Sequence, residues 1–195
     1  MRFVRRWPWV GSVLLLVLSV SASGQEPFKV QLRFISDKSE KPETGARLAT
    51  SFALGSVTDA RELDNPSIVG ESQAKSKPRP IEVISPVSQF VETVIRASFQ
   101  EWNVSLDPGA PLTLDCEVLQ FQFEEVHRVV VDARLRFLLR DRAGKAVWQG
   151  DVEGDDGVWG RSLNEKNYSQ AASTATKRAL ASLFDKTDFR RAVRQ

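Results

Sequence analysis

The stretch from Arg128 to Arg140, R-V-V-V-D-A-R-L-R-F-L-L-R, constrains the fold of this chain more than any other. Val129, Val131, Ala133, Leu135, Phe137 and Leu139 fall on every second position. Between them lie Val130, Asp132, Arg134, Arg136, Leu138 and Arg140, most of them charged. Successive side chains of a strand point to opposite faces, so this is a strand with one dry face and one largely wet face. A sheet with one wet face needs cover on its other side only. The two clearest helical patterns in the chain can supply it.

The first of these opens at Ser85-Pro86, with Ser as the N-cap and Pro at the first helical position. Val87, Phe90, Val91, Val94, Ile95, Ser98 and Trp102 then form one stripe on which Ser98 alone is polar. The second starts at Ser162-Leu163-Asn164-Glu165, which has the S-x-x-E form of a capping box. Its inner face is built on Tyr168, Ala171, Ala172, Ala175, Ala179 and Leu183, small enough to let a helix lie close to a sheet. Leu112 to Phe123 reads as a strand whose alternation changes phase near Val118-Leu119, through one inserted bulge residue or through partial burial of both faces there. Glu124 to His127 is the expected hairpin into the long strand, and Ala146 to Val152 the third member of a meander, ended by Asp155-Asp156-Gly157. Further upstream, Phe28 to Phe34 and Leu48 to Thr58 read as extended and Ile68-Val69-Gly70 as a short edge strand. Ser36 to Gly45 and Ser72 to Pro80 read as exposed loops. The fold class is therefore α+β, an antiparallel sheet with a three-stranded meander, one face covered by two amphipathic helices.

Residues 1–24 have the order of a secretory signal peptide: Arg2, Arg5 and Arg6, an apolar run from Trp9 to Val20, then Ser21-Ala22-Ser23-Gly24. The run is shorter than the roughly 20 residues of a membrane-spanning helix. An uncleaved anchor and a buried helix are the other readings of it. Cleavage is expected near Ala22 or Gly24, giving a periplasmic or secreted product with no stable membrane span. Ala22-Ser23-Gly24-Gln25 resembles the end of a lipobox with Gln in place of the lipidated Cys, so lipid anchoring is not expected. The full chain has 27 Lys+Arg against 25 Asp+Glu; without the three leader arginines the count is 24 against 25. That balance excludes a general nucleic-acid binder, which needs a strongly basic face. Residues 25–50 are expected to form an N-terminal strand and loop extension, 51–186 the main domain, and 187–195 a basic C-terminal tail.

No catalytic, cofactor-binding or metal constellation emerges. His127 is the only histidine, so no cluster of histidines can bind metal within one chain. Cys116 is the only cysteine, which rules out an internal disulfide, and its alternating neighbours mark it as a small buried side chain. A hydrolase using Cys116 or His127 would need a cleft uniting the two. Gly154, Gly157 and Gly160 lack the Lys of a phosphate-binding loop, and Asp155-Asp156 supplies too few oxygens for a Ca²⁺ loop. Three residues are candidates for contact with a partner: Asp59 and Arg61, a close ion pair after a strand, and Trp159, between Val158 and Gly160.

The order V-T-D-A-R at 57–61, I-V-G at 68–70, the helix 87–102, L-T-L-D-C-E-V at 112–118, V-D-A-R-L-R-F-L-L-R-D at 131–141, A-V-W-Q-G-D-V-E-G at 146–154 and the Ala-rich helix 168–184 resembles the YajG-like family of bacterial envelope lipoproteins. The resemblance covers roughly residues 50–186 and implies an α+β domain in the periplasm, with no activity attached. A similar plan occurs in auxiliary lipoproteins of envelope lipid-transport ABC systems. The expected function is thus a non-enzymatic cell-envelope binding or assembly module without cofactor, its partner an envelope protein or envelope component. The alternative is an auxiliary subunit of an envelope lipid-transport ABC system.

Overall fold

Val129, Val131, Ala133, Leu135, Phe137 and Leu139 are all buried on one face of a strand that runs from Arg128 to Arg140. The structure is a computed structural model and describes residues 25–36, 41–42, 51–75 and 77–194. The leader 1–24, most of the 36–45 loop and the start of the 48–58 segment lie outside the described residues. The elements, in chain order, are β1 (Phe28–Val30), β2 (Phe52–Asp59), β3 (Ile68–Ser72), β4 (Arg79–Val83), α1 (Val87–Glu101), β5 (Leu112–Glu125), β6 (Arg128–Arg140), β7 (Ala146–Trp159), α2 (Glu165–Asp185) and α3 (Thr187–Val193).

The α+β class holds, but the sheet is mixed rather than antiparallel. Its seven strands follow the order β1-β4-β3-β5-β6-β7, with β2 beside β5. β5, β6 and β7 pair antiparallel, as does β3 with β4. β1 on β4, β2 on β5 and β3 on β5 run parallel. For β2 and β3 against β5 the physical reason is connection length. Helix α1 lies between the upstream strands and β5, and a crossover of that size lets strands align in parallel where a tight turn cannot.

Three further differences concern where elements start and stop. β7 continues through Asp155-Asp156-Gly157 to Trp159, because its ladder to β6 persists: Asp155 faces Asp132, Asp156 faces Val131 and Gly157 faces Val130. β4 takes in Arg79 and Pro80, which composition places in a loop; it meets β1 on one side and β3 on the other. Thr187–Val193 is helix α3 rather than a tail, and its Phe189 and Val193 are buried in the core. Among the described residues the cover is therefore three helices.

Helix caps also differ from expectation. Asn164, not Ser162, caps α2, its side chain accepting from Lys166 N at 3.0 Å. Pro86 occupies the N-cap of α1, and Ser85 Oγ instead accepts from Gln31 Nε2 at 2.9 Å. The α1 stripe packs inward as expected, from Val87 to Phe99, followed by Trp102. The hydroxyl of Ser98, fully buried on that stripe, has no hydrogen-bond partner among the described residues.

Two aromatic clusters fill the layer between sheet and helices. Phe52, Phe99, Phe184, Phe189 and Trp148 join β2, α1, α2, α3 and β7 at one pole, with ring centroids 5.0–6.4 Å apart. Phe90, Phe121, Phe123, Tyr168 and Phe28 do the same toward the other pole. Each such pair contributes about 0.5–1.5 kcal/mol beyond the area it buries. The outer face of the sheet carries ion pairs instead: Arg136 with Asp151 at 2.8 Å, Arg134 with Asp151 at 3.0 Å and Arg140 with Asp115 at 2.9 Å.

Candidate contact surface

β2 and β3 lie end to end along the same edge of β5. β2 takes Leu112 to Val118, and β3 takes Phe123 to Glu125. Between them, from Leu119 to Gln122, no strand of the described residues pairs with that edge. The register of β5 against β6 shifts between Val118 and Gln120, so the bulge read from the sequence sits at the start of this break.

A side chain closes the break where a strand would otherwise run. Ala60 N donates to Val118 O at 3.0 Å, and the chain then turns so that Arg61 reaches across. Arg61 Nη1 donates to Phe121 O at 3.2 Å, Nη2 to Pro66 O at 2.8 Å, and Nε and Nη2 to the two carboxylate oxygens of Asp59 at 2.8 and 2.7 Å. The Arg61 side chain is only 4% exposed. Guanidinium geometry suits the task, since its donors fan out in a plane toward a carboxylate and two carbonyls at once. Burial alone would raise the carboxyl pKa of Asp59, but the hydrogen bonds and charge of Arg61 together outweigh it and hold it below the ordinary value.

The plug leaves a cavity on either side. One, of about 340 Å³, is lined by Arg61, Leu63, Ile68, Leu119, Gln120 and Gln122, among others. The other, of about 440 Å³, lies between Asp59, Leu63, Pro66, Ile84, Pro86 and Val87, at the start of α1. Leu63 is 48% exposed and Ile84 59%, so the mouth of this double cleft is apolar while its floor holds an ion pair. The sequence marked Asp59 and Arg61 through their spacing of two residues. It gave no sign of the cleft, which exists only because two strands end on one edge.

Trp159 lies away from that cleft, at the far end of β7, and is 70% exposed. Opposite it in register is Arg128, whose guanidinium lies 6.0 Å from the indole ring. The residues after Trp159 are tied back into the fold by a buried carboxylate that composition placed in a hairpin turn. Glu125 is 2% exposed; it accepts from Tyr168 OH at 2.8 Å, from Leu163 N at 3.1 Å and from the Ser72 hydroxyl. Leu163 takes a positive φ of 53° to present its amide there. The available signal was the alternation Phe121, Phe123, Glu125, which puts the carboxylate on the core face. Burial, then the hydrogen bond to Glu125, pushes the Tyr168 phenol up, so it stays a donor.

The candidates for chemistry do not come together. Cys116 is buried mid-sheet, and burial, followed by the charge of Glu117, pushes its thiol up to about 12. His127 is exposed in the β5–β6 turn. Asp156 pairs with Arg178 at 3.1 Å, and Asp155 O accepts from the same guanidinium. Among the described residues, no group of three or more His, Cys, Asp or Glu side chains could hold a metal ion. No described helix is long and apolar enough to cross a membrane.

No family model matches the chain, and no curated protein matches it. Solved structures give loose likenesses. A Xanthomonas campestris protein of the DUF330 family is 12% identical, with a TM-score of 0.47, over 82% of this chain and 90% of that one. A minor lipoprotein from Acinetobacter baumannii is 11% identical, with a TM-score of 0.41, over 73% of this chain and 94% of that one. The PelC dodecamer from Paraburkholderia phytofirmans gives 17% identity and a TM-score of 0.39, over 73% and 89%. At such scores and identities these likenesses carry no weight for function.

Proposed function

We propose that this chain is an exported cell-envelope module of the YajG-like kind that works by binding an envelope protein or envelope component rather than by catalysis. Its first 24 residues are a secretory leader, residues 51–186 the family domain, and the periplasmic side of the envelope its place of work. The observation that carries the reading is the double cleft at the broken edge of β5. A rigid ion pair forms its floor, and Leu63 and Ile84 are held exposed at its mouth, as a binding pocket with few, well-placed polar groups requires. Asp59 and Arg61 shape the cleft, and Trp159 is a second contact at the pole of the sheet. The buried Cys116, apart from His127, favours binding over hydrolysis. Lipid carriage, the alternative, draws no support from the layer between sheet and helices, which is filled by Phe121, Phe123 and Phe137.

A photo-crosslinking amino acid placed at Leu63 in the producing cell tests the reading, with Arg142 in the far β6–β7 turn as control. One defined envelope adduct at Leu63, absent from Arg142 and lost when Ile84 is changed to Asp, is the expected result. Equal labelling at both positions, or none at either, overturns it.

A further inference from the structure

Register pairs run in one row across the sheet: Arg79 faces Ser72, Ser72 faces Glu125, Glu125 faces Val129 and Val129 faces Val158. Glu26 joins that row, its carbonyl accepting from Arg79 Nε at 2.7 Å. One residue further out stand Gln25 on the β1 edge and Trp159 on the β7 edge, five strand spacings or roughly 24 Å apart. Gln25, the first described residue, thus stands at the end that displays Trp159. The apolar run Trp9–Val20 lies just upstream. A leader of this kind sits in the bilayer during export, whether or not it is later cut.

The chemistry of that end suits a bilayer surface. Trp159 is exposed beneath Arg128, and Val126, 39% exposed, tips the β5–β6 turn beside His127. Exposed Arg128, Lys75, Lys77, Arg161 and Lys166 belong to the same end, with Glu26, Glu71, Glu124 and Glu165 as its exposed acids. An indole ring flanked by cations is the side-chain set that settles at headgroup depth. Its outward setting is built in: Leu163 N on Glu125 and Asn167 Nδ2 on Arg161 O at 3.0 Å tie down the loop behind Trp159. The opposite pole also carries cations, Arg142, Lys145, Arg190 and Arg191. Its indole, however, is turned inward: Trp148 meets Phe189 edge to face, and its Nε1 donates to Asp188 at 2.9 Å.

We propose that the pole formed by Trp159, Val126 and Arg128 lies on the anionic headgroup surface of a lipid bilayer, an inference that rests on the envelope reading above. The full chain carries a single introduced cysteine, Val126→Cys or, at the other pole, Arg142→Cys, labelled with an environment-sensitive fluorophore. Cys116, buried in the core, stays unlabelled under native conditions. Vesicles of phosphatidylcholine alone, or with about a third phosphatidylglycerol, are then added. The position-126 probe is expected to shift to the blue and brighten on the anionic vesicles, while the position-142 probe stays unchanged. Trp159→Ala with Arg128→Ala, in a chain whose melting is unaltered, is expected to weaken partitioning about tenfold. A response at 142 alone, equal responses at both positions, or a response at 126 that ignores phosphatidylglycerol overturns the proposal. Silence at both probes overturns it too, and the envelope reading then still stands or falls with the Leu63 crosslink, which involves no added lipid.

Discussion

Glu125 is the residue on which one pole of the molecule converges. Its carboxylate receives β3 through Ser72, α2 through Tyr168 and the loop behind Trp159 through Leu163. Truncation to Ala leaves two buried hydroxyls and the part-buried Leu163 amide without an acceptor, at about 1 kcal/mol or more each. Glu125→Ala is therefore expected to lose about 3 kcal/mol in urea unfolding. Glu125→Gln keeps two acceptor sites on one oxygen and should lose less. Asp59 offers a different test, because its carboxyl pKa is lowered in the fold. It binds a proton less readily folded than unfolded, so its contribution is complete above the unfolded value near 3.9 and fades as pH falls through the folded one. Asp151 and Asp188, held down chiefly by hydrogen bonds from Arg136 and Trp148, act in the same direction. Unfolding free energy should thus decline on acidification below about pH 5, and part of that slope should vanish in Asp59→Asn.

Among the elements, β7 and α2 meet along a close helix-on-sheet seam. A Cβ at Gly154 would stand 2.2 Å from Ala175 O and 2.4 Å from Ala179 N, backbone atoms that cannot step aside. Gly154→Ala must push the helix off the sheet, and a loss of about 3 kcal/mol in thermal or urea unfolding is expected, with near-normal helix content by circular dichroism. The Ala-rich face of α2 was legible as a sign of such closeness, as were the α1 stripe, the alternation of β6 and the bulge near Val118. What local pattern cannot encode is the direction of a neighbouring strand. Nothing in Phe52–Asp59 or Ile68–Ser72 says that both lie parallel to β5 and share one of its edges. Asp155-Asp156-Gly157 misled for a related reason. Turn-forming composition was overridden by a ladder already running in β6, with Arg178 on hand for Asp156. The Asp59–Arg61 pair could be read from sequence, but its closure on Phe121 O could not, because that bond spans two strands.

At the scale of the whole molecule, the N-terminal segment after β1 runs over α2 as an extended strap. Arg33 N donates to Ser169 Oγ at 3.2 Å and Ile35 N to Ser173 Oγ at 3.0 Å. Alternate residues of an extended chain and successive turns of a helix are both spaced by roughly 6–7 Å, so the two rows match. Lys177, one turn further along α2, pairs with Glu101 at 2.7 Å, and Ser36 Oγ donates to the same carboxylate. Replacing Ser169 and Ser173 together by Ala is expected to speed amide exchange at Arg33 and Ile35 by about tenfold or more. Exchange in β6 should not change. These partners are separated in the chain by 136 and 138 residues. Synthesis proceeds from the amino end, so the opening stretch emerges long before the helix that fastens it. A ribosome stalled ahead of α2 would therefore display a sheet whose greasy side has α1 alone to cover it, at the mercy of chaperones and proteases until the closing turns arrive.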